Sequence, residues 1–533
     1  MNSQNDNHGQ GLVPAWELET VGRLHGSRKS RNEARRRASF WRWPTPSLLA
    51  AIGVLLITGW ALFVPPYIGM ADNGDYYRIL YPNGLYFHLP DYDSRYFGYF
   101  VRTYGIYQYF NENSMMVFSS QSLFIHAALF LNKLFYSREI FDLRFQSALL
   151  TLLYTGGIYL LVEGLTWKMQ RKRALLIAAI AVFLFADTAY TAYFQSFFGE
   201  SVVLIALLYV TASWLLLCRG RFHDYTMLAI FLVTGLLLTT SKQQNAPVGV
   251  LLAVFGVSLY FLRSGKGYRW IVSASLALLF ASGVGTYVLI PQEFVHINQY
   301  HAMTRGVLLG SSNPEATLRT FGIDEQYAIL KESIYYEQYS TVDVDSPLLE
   351  QEFYNKYGFG SVLRFYVTHP DRLNNLLNAA AKQAFSIRPA AMGNYELSAG
   401  KPFGEQTSFF SLYSQIKKGA APKTFGFIVL WTVVTVGLQL PGFIRAWQKR
   451  DRRAIQRLVL IVTLILIGMS GIVVSIIGAG DADLSKHEFL FTLAFDVVTF
   501  ITIADIIGRR LVRPDSRAPK KPAPTVQTGG SPA

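Results

Sequence analysis

Residues 47–69 read SLLAAIGVLLITGWALFVPPYIG, and residues 70–78 read MADNGDYYR. The first stretch stays apolar for the ~20 residues that a membrane-crossing helix needs. The second places two carboxylates, Asp72 and Asp75, an Asn-Gly turn and Arg78 where the chain leaves that helix. Charges at membrane depth are costly and are usually paired or functional. The junction therefore sets two questions: how often the chain crosses a membrane, and what its polar end does.

Similar apolar runs recur near 144–164, 174–193, 200–218, 225–241, 247–263, 270–290, 424–446, 456–478 and 488–508. With 47–65 they predict an all-α polytopic membrane protein of about ten transmembrane helices. Composition agrees. The 533 residues are 51% hydrophobic and only 16% charged, against roughly 25% charged in soluble domains, and the mean hydropathy is +0.24. The net charge of +14 would suggest nucleic acid in a soluble protein. Here the basic residues lie in short linkers between apolar runs, the pattern of an inner membrane surface. The single cysteine, Cys218, excludes a disulfide framework and a cysteine metal site.

One further run, SLFIHAALFLNKLFY at 122–136, is short and interrupted by His126, Asn132 and Lys133. It reads as an amphipathic helix lying at the interface. Leaving it out puts the basic linkers WKMQRKR (167–173), CRGRFHD (218–224), RSGKGYR (263–269) and RAWQKRDRRAIQR (445–457) on one side. The positive-inside rule makes that side cytoplasmic, together with both termini. The expected organisation is then a basic disordered tail over 1–45 and a membrane module of seven spans over 46–290, with a first outer loop at 66–143. A large outer loop over 291–423, three spans over 424–508 and a Pro-rich tail over 509–533 complete it. The expected location is the cytoplasmic membrane.

Five segments bring polar residues to the outer boundary. They are MADNGDYYR, YFQSFFGE ending at Glu200, TTSKQQNAP with Lys242, NQYHAMTRG with His301 and Arg305, and GAGDADLSKHEF with Asp481, Asp483, Lys486 and His487. Carboxylates can deprotonate a hydroxyl nucleophile, and Lys, Arg and His can hold a phosphate. The Tyr-rich stretch 96–110 can stack on sugars or sit in the headgroup belt. Together they point to a lipid-phosphate-linked substrate. Each also has a plainer reading. Asp72 and Asp75 serve as a helix-end cap and an Asx-turn, Glu200 as a cap, Lys486 and His487 as snorkelling interface residues, and Arg305 as a solvated loop arginine. Asp496 lies well inside a span, where it pairs with a cation or reaches the cavity. No Walker, dinucleotide-binding, HExxH or GxSxG motif is present.

An acidic motif after the first span, an interfacial helix in the first outer loop and a second large loop after the seventh span resemble the GT-C superfamily. These are multi-span glycosyltransferases that take sugar from a polyprenyl-phosphate carrier. MADNGDYYR, AYFQSFFGE, TSKQQNAP, YHAMTRGVLLGSSNP, GNYE and SKHEFLF, as an ordered set over roughly residues 45–510, resemble a bacterial family of glycan-biosynthesis hexose transferases found with S-layer and other surface-glycan genes. The resemblance implies a GT-C-like bundle and transfer of a hexose to an acceptor hydroxyl of a glycan, lipid or protein, usually with inversion. It implies that Asp75, or else Asp72, is the base, and that Lys242, Arg305, Lys486 and His487 hold the donor phosphate. Glu200, His301 and Asp496 are candidates to line the cavity. Some members use a divalent metal and others none, so no cofactor is assigned and an Asp72/Asp75 metal site stays open. The competing readings are a flippase of lipid-linked glycans and a non-catalytic scaffold.

Overall fold

The structure, a computed structural model, describes residues 44–113, 118–337, 339–482 and 484–511. The expected tails, apart from their innermost residues, and Asp483 lie outside the described residues. Helix α1 (Pro46–Phe63) starts on a Thr45 cap whose Oγ1 accepts the Leu48 N–H, with proline at the first helical position. The other helices that build the bundle are α2 (Gln121–Phe135), α3 (Arg144–Thr166), α4 (Arg171–Phe185), α5 (Glu200–Arg219), α6 (Asp224–Thr240), α7 (Ala246–Tyr260) and α8 (Lys266–Val288). They are completed by α9 (Leu412–Ala420), α10 (Phe425–Gln448), α11 (Arg452–Ala479) and α12 (Phe489–Gly508). Helix α5 is apolar all round and is buried all round, packed against α3 and α6. Helices α8 and α10 stand at the periphery and leave most of their apolar surface exposed.

All ten expected spans form helices, but they are not equal. Among the described residues, seven are long and apolar enough to cross a membrane. An eighth span is broken: α4 and the segment Thr188–Gln195 bend by 53°. Asp187 stands in the break and accepts from the Ala189 and Ser414 N–H groups at 2.8 Å each, which ties the bend to α9. The remaining two, α6 and α7, have 17 and 15 residues. At 1.5 Å per residue they cover about 26 and 23 Å, short of a ~30 Å hydrocarbon core.

Helix α2 turns Gln121, Ser122 and Asn132 inward, while His126 and Lys133 are exposed. Asn132 is fully buried, donates to the Ser137 and Ile140 carbonyls and accepts from the Asp142 N–H. Leu123, Phe130 and Leu134 point outward and are exposed. With His126 and Lys133 exposed beside them, the outward surface is mixed apolar and polar.

The four basic linkers meet at one end of the bundle. Arg221 pairs with Glu163 at 2.9 Å and lies over Trp167, Arg263 pairs with Asp224, and Arg452 donates to the Phe261 carbonyl. Arg457 holds Asp505 through two bonds, 2.7 and 2.5 Å.

At the opposite end, the two large loops are not separate units. Strand β1 (Ile68–Met70), at the exit of α1, pairs antiparallel with β5 (Met392–Tyr395), which contains most of GNYE. Between them in sequence, β2 (Leu85–Tyr86), β3 (Thr103–Ile106) and β4 (Ile140–Asp142) form a small antiparallel sheet in the first loop. The segment 291–423 builds a second apolar core that includes Ile428 of α10, Ile472 and Ile476 of α11, and Phe491 of α12. The loop boundaries expected at 291 and 423 therefore mark no break in packing.

Candidate functional site

The MADNGDYYR segment folds back on YFQSFFGE. Tyr76 is fully buried, its ring 5.3 Å from Phe197 and 5.1 Å from Phe198, and its hydroxyl donates to the Met70 carbonyl. The Asn-Gly turn is real, with Gly74 at φ +94°. This fold separates the two aspartates. Asp72 is buried, and its Oδ1 accepts the Gly74 and Tyr76 N–H groups while its Oδ2 accepts the Tyr92 hydroxyl at 2.9 Å. Burial raises its carboxyl above the ordinary range, against the pull of those donors. Asp72 is the Asx-turn residue that holds the loop. Asp75 stays half-buried between two cations: Lys486 pairs with its Oδ2, and Arg78 lies 3.1 Å from its Oδ1. Burial alone would raise Asp75, but Lys486, Arg78 and His487 outweigh it and hold the carboxyl below its usual range. Asp75 is thus ionised and reachable, while Asp72 is neither exposed nor spare.

Lys486 also lies 4.2 Å over the ring of Phe198. Two residues on, Glu200 opens α5 and pairs with Lys242 at 2.5 Å. The close approach depends on Gly199, where a Cβ would stand 2.6 Å from the Ser241 carbonyl oxygen. His487 joins the two pairs. Its Nδ1 is 2.7 Å from Gln244 Oε1, and its carbonyl accepts from Gln244 Nε2 at 3.0 Å. Enclosure, then Lys242 and Lys486, push this imidazole down to about 3, with Glu200 and Asp75 acting the other way. His487 is therefore a neutral ring, not the phosphate-binding cation expected from sequence.

Of the remaining predicted residues, Arg305 is fully engaged. It holds Asp481 through two bonds, 2.7 and 3.0 Å, and donates to the Glu332 carbonyl at 2.9 Å. The contact is seated by Gly480, at φ +60°, where any side chain would overlap the Arg305 carbonyl. Arg305 pins the last short loop to the large loop and is a structural residue. His301 accepts the Tyr335 N–H at 3.0 Å within the large loop's own fold. Asp496 does not line the site. Lys417 of α9 binds its Oδ1 at 2.6 Å and Tyr190 donates to its Oδ2 at 2.5 Å, all three side chains being buried.

The chain thus brings Asp75, Lys486, Glu200, Lys242 and His487 together. Sequence reasoning missed the roles of Arg78, Phe198 and Gln244, although each stood in a quoted segment. It also missed Glu488, which is fully buried with neither carboxyl oxygen partnered among the described residues. Burial pushes that carboxyl up to about 9, so it is neutral at physiological pH.

A divalent metal does not fit Asp72 and Asp75. The lone pairs of the first are turned to N–H and O–H donors, and the second is flanked by two cations. Among the described residues no group of three or more His, Cys, Asp or Glu is placed to hold an ion.

A family model described as "YfdI N-terminal transmembrane domain" matches residues 29–523. No curated protein and no solved structure matches the chain.

Proposed function

From the premise that the chain belongs to the YfdI N-terminal transmembrane domain family, we propose that it is a membrane glycosyltransferase. In this reading it moves a hexose from a polyprenyl-phosphate carrier to an acceptor hydroxyl on the outer face of the cytoplasmic membrane, with both termini cytoplasmic. The observation that carries the reading is Asp75: an ionised, half-buried carboxylate between Lys486 and Arg78, at the end of an apolar bundle. Asp75 takes the proton of the acceptor hydroxyl as that oxygen bonds to the sugar C1. The C1–O bond to the phosphate breaks, and polyprenyl phosphate leaves with the electron pair. The attack comes from the face opposite the leaving phosphate, which inverts C1. Lys486 and Lys242 balance the phosphate charge.

An apolar groove supports the lipid half of this reading. It is lined by Phe124, Leu153, Val202, Tyr209, Ile230 and Leu237 among others, with a volume of about 400 Å³. Val202 lies two residues beyond Glu200, and Leu237 lies five before Lys242, so an isoprenoid chain there would bring its phosphate toward the cluster. The transporter reading needs charges along the depth of the bundle, and the deep carboxylates are taken up, Asp496 by Lys417 and Tyr190 and Asp187 by the Ala189 and Ser414 N–H groups and the Ser414 hydroxyl.

The test uses purified protein in detergent with a short-chain polyprenyl-phosphate hexose and follows donor consumption. Asp75→Asn should abolish turnover with the fold intact. Asp72→Asn, which keeps an acceptor oxygen for the turn, should retain turnover at reduced thermal stability. Full activity in Asp75→Asn would overturn the base assignment.

A further inference from the structure

The two site lysines each already hold a carboxylate, and the two pairs differ. Glu200 is 1% exposed, and its second oxygen has no partner among the described residues. Taking Lys242 away would leave a buried, uncompensated charge, which costs several kcal/mol. Asp75 is 26% exposed and has a second cation, Arg78, at 3.1 Å. Arg78 is fixed independently: its Nε donates to the Tyr77 hydroxyl, and its guanidinium lies 5.4 and 5.2 Å from the rings of Phe294 and Tyr336 in the large loop. Asp75 can therefore lose Lys486 and keep both a counter-ion and water. Lys486 retains Phe198 as a resting surface.

Building on the glycosyltransferase reading, we propose that the Lys486–Asp75 pair is a resting lock. The anionic phosphate of the donor takes Lys486 from Asp75, while Lys242 stays on Glu200 and adds its charge from there. Donor entry thereby frees the carboxylate that must accept the acceptor proton, and donor binding precedes acceptor activation. Without donor the base remains neutralised, which guards against idle chemistry at an open site.

The consequence is counterintuitive: a variant that removes the base should bind the phosphate more tightly. The probe is a short-chain polyprenyl monophosphate titrated into the full-length protein in detergent, with the uncharged polyprenol as control. Asp75→Asn should tighten phosphate binding roughly two- to fivefold, the upper part of the range for releasing one exposed ion pair. In a Lys486→Met background the same substitution should change binding less than about twofold, because no lock remains to open. A simple change in local charge would instead give the same gain in both backgrounds, and that result overturns the lock while leaving the phosphate site standing. Phosphate bound no better than polyprenol by wild type overturns both the lock and the phosphate site it rests on. Lys486→Gln serves as the second background if the methionine variant does not fold.

Discussion

Lys417 and Asp496 give the sharpest test of what is structural here. Their side chains are 4% and 0% exposed and meet at 2.6 Å. Lys417 also donates to the Thr492 carbonyl at 3.1 Å, and Tyr190 supplies the other bond to Asp496. Lys417→Met leaves a carboxylate in an apolar interior with only the Tyr190 and Tyr413 hydroxyls for company. Breaking a buried pair in this way costs about 3–5 kcal/mol, whereas replacing both partners with apolar groups is close to neutral. Asp496→Leu alone should cost a similar amount, since it strands the lysine. The double variant Lys417→Met/Asp496→Leu should recover most of the loss, so the coupling, the two single losses less the small loss of the double, should be about 5 kcal/mol or more. Unfolding in mixed micelles, followed by tryptophan fluorescence, measures all four corners of the cycle. Turnover of the recovered double variant then separates the two roles: a structural pair leaves it near wild type. Single variants within 1 kcal/mol of wild type, or a stable but inactive double variant, would refute the structural assignment.

Two more expectations follow from the site. The folded Glu488 carboxyl sits at about 9 against an ordinary 4.5, so its contribution to stability is complete below pH 4.5 and is lost as pH rises toward 9. At pH 7 the loss is about 3 kcal/mol at 1.36 kcal/mol per unit, and Glu488→Gln, which stays neutral, should flatten the decline in thermal stability between pH 5 and 8; parallel pH profiles would contradict the buried neutral acid. Arg305→Met should cost about 1–3 kcal/mol through the orphaned Asp481, with the apparent donor KM within twofold of wild type; a large rise in KM would return Arg305 to the phosphate site.

Much of the bundle was legible because apolar length is a direct consequence of the cost of burying backbone in lipid. The basic linkers were legible because charge asymmetry survives without knowing any contact. The interruptions at His126, Asn132 and Lys133 kept 122–136 from reading as a span, and of the three only Asn132 is buried with partners, His126 and Lys133 being exposed. Pairings were a different matter. Lys486 and Asp75 are 411 residues apart, and Lys242 and Glu200 are 42 apart. A charge carries no address, so sequence gave the ring of polar segments but not which cation sits on which carboxylate. Nor could it show that His487 is enclosed between two lysines and therefore neutral. The three-residue strand β1 is too short for an alternating pattern, which is why its pairing with β5, and the joining of the two large loops, had to come from the structure.

Most of the fixed pairs use arginine, with Lys417 on Asp496 and Lys242 on Glu200 as exceptions. At the basic end, Glu163, Asp224 and Asp505 are held by Arg221, Arg263 and Arg457, and at the site end Arg305 pins Asp481. The two site carboxylates carry lysine: Lys486 on the part-exposed Asp75 and Lys242 on the buried Glu200. A guanidinium binds a carboxylate bidentately in a fixed plane, while an ammonium is a movable point charge on a flexible stem. An ammonium can also hold a fixed pair, as Lys417 does on Asp496, but a pair that must open suits lysine better than arginine. Lys486→Arg preserves the charge but should fasten Asp75 through two bonds, raising the donor KM and lowering turnover at saturating donor. The same substitution at Lys242, whose partner never leaves, should change donor KM much less. Wild-type kinetics in Lys486→Arg would mean that the pair does not open during the reaction, and the distinction between joint and gate would fall with it.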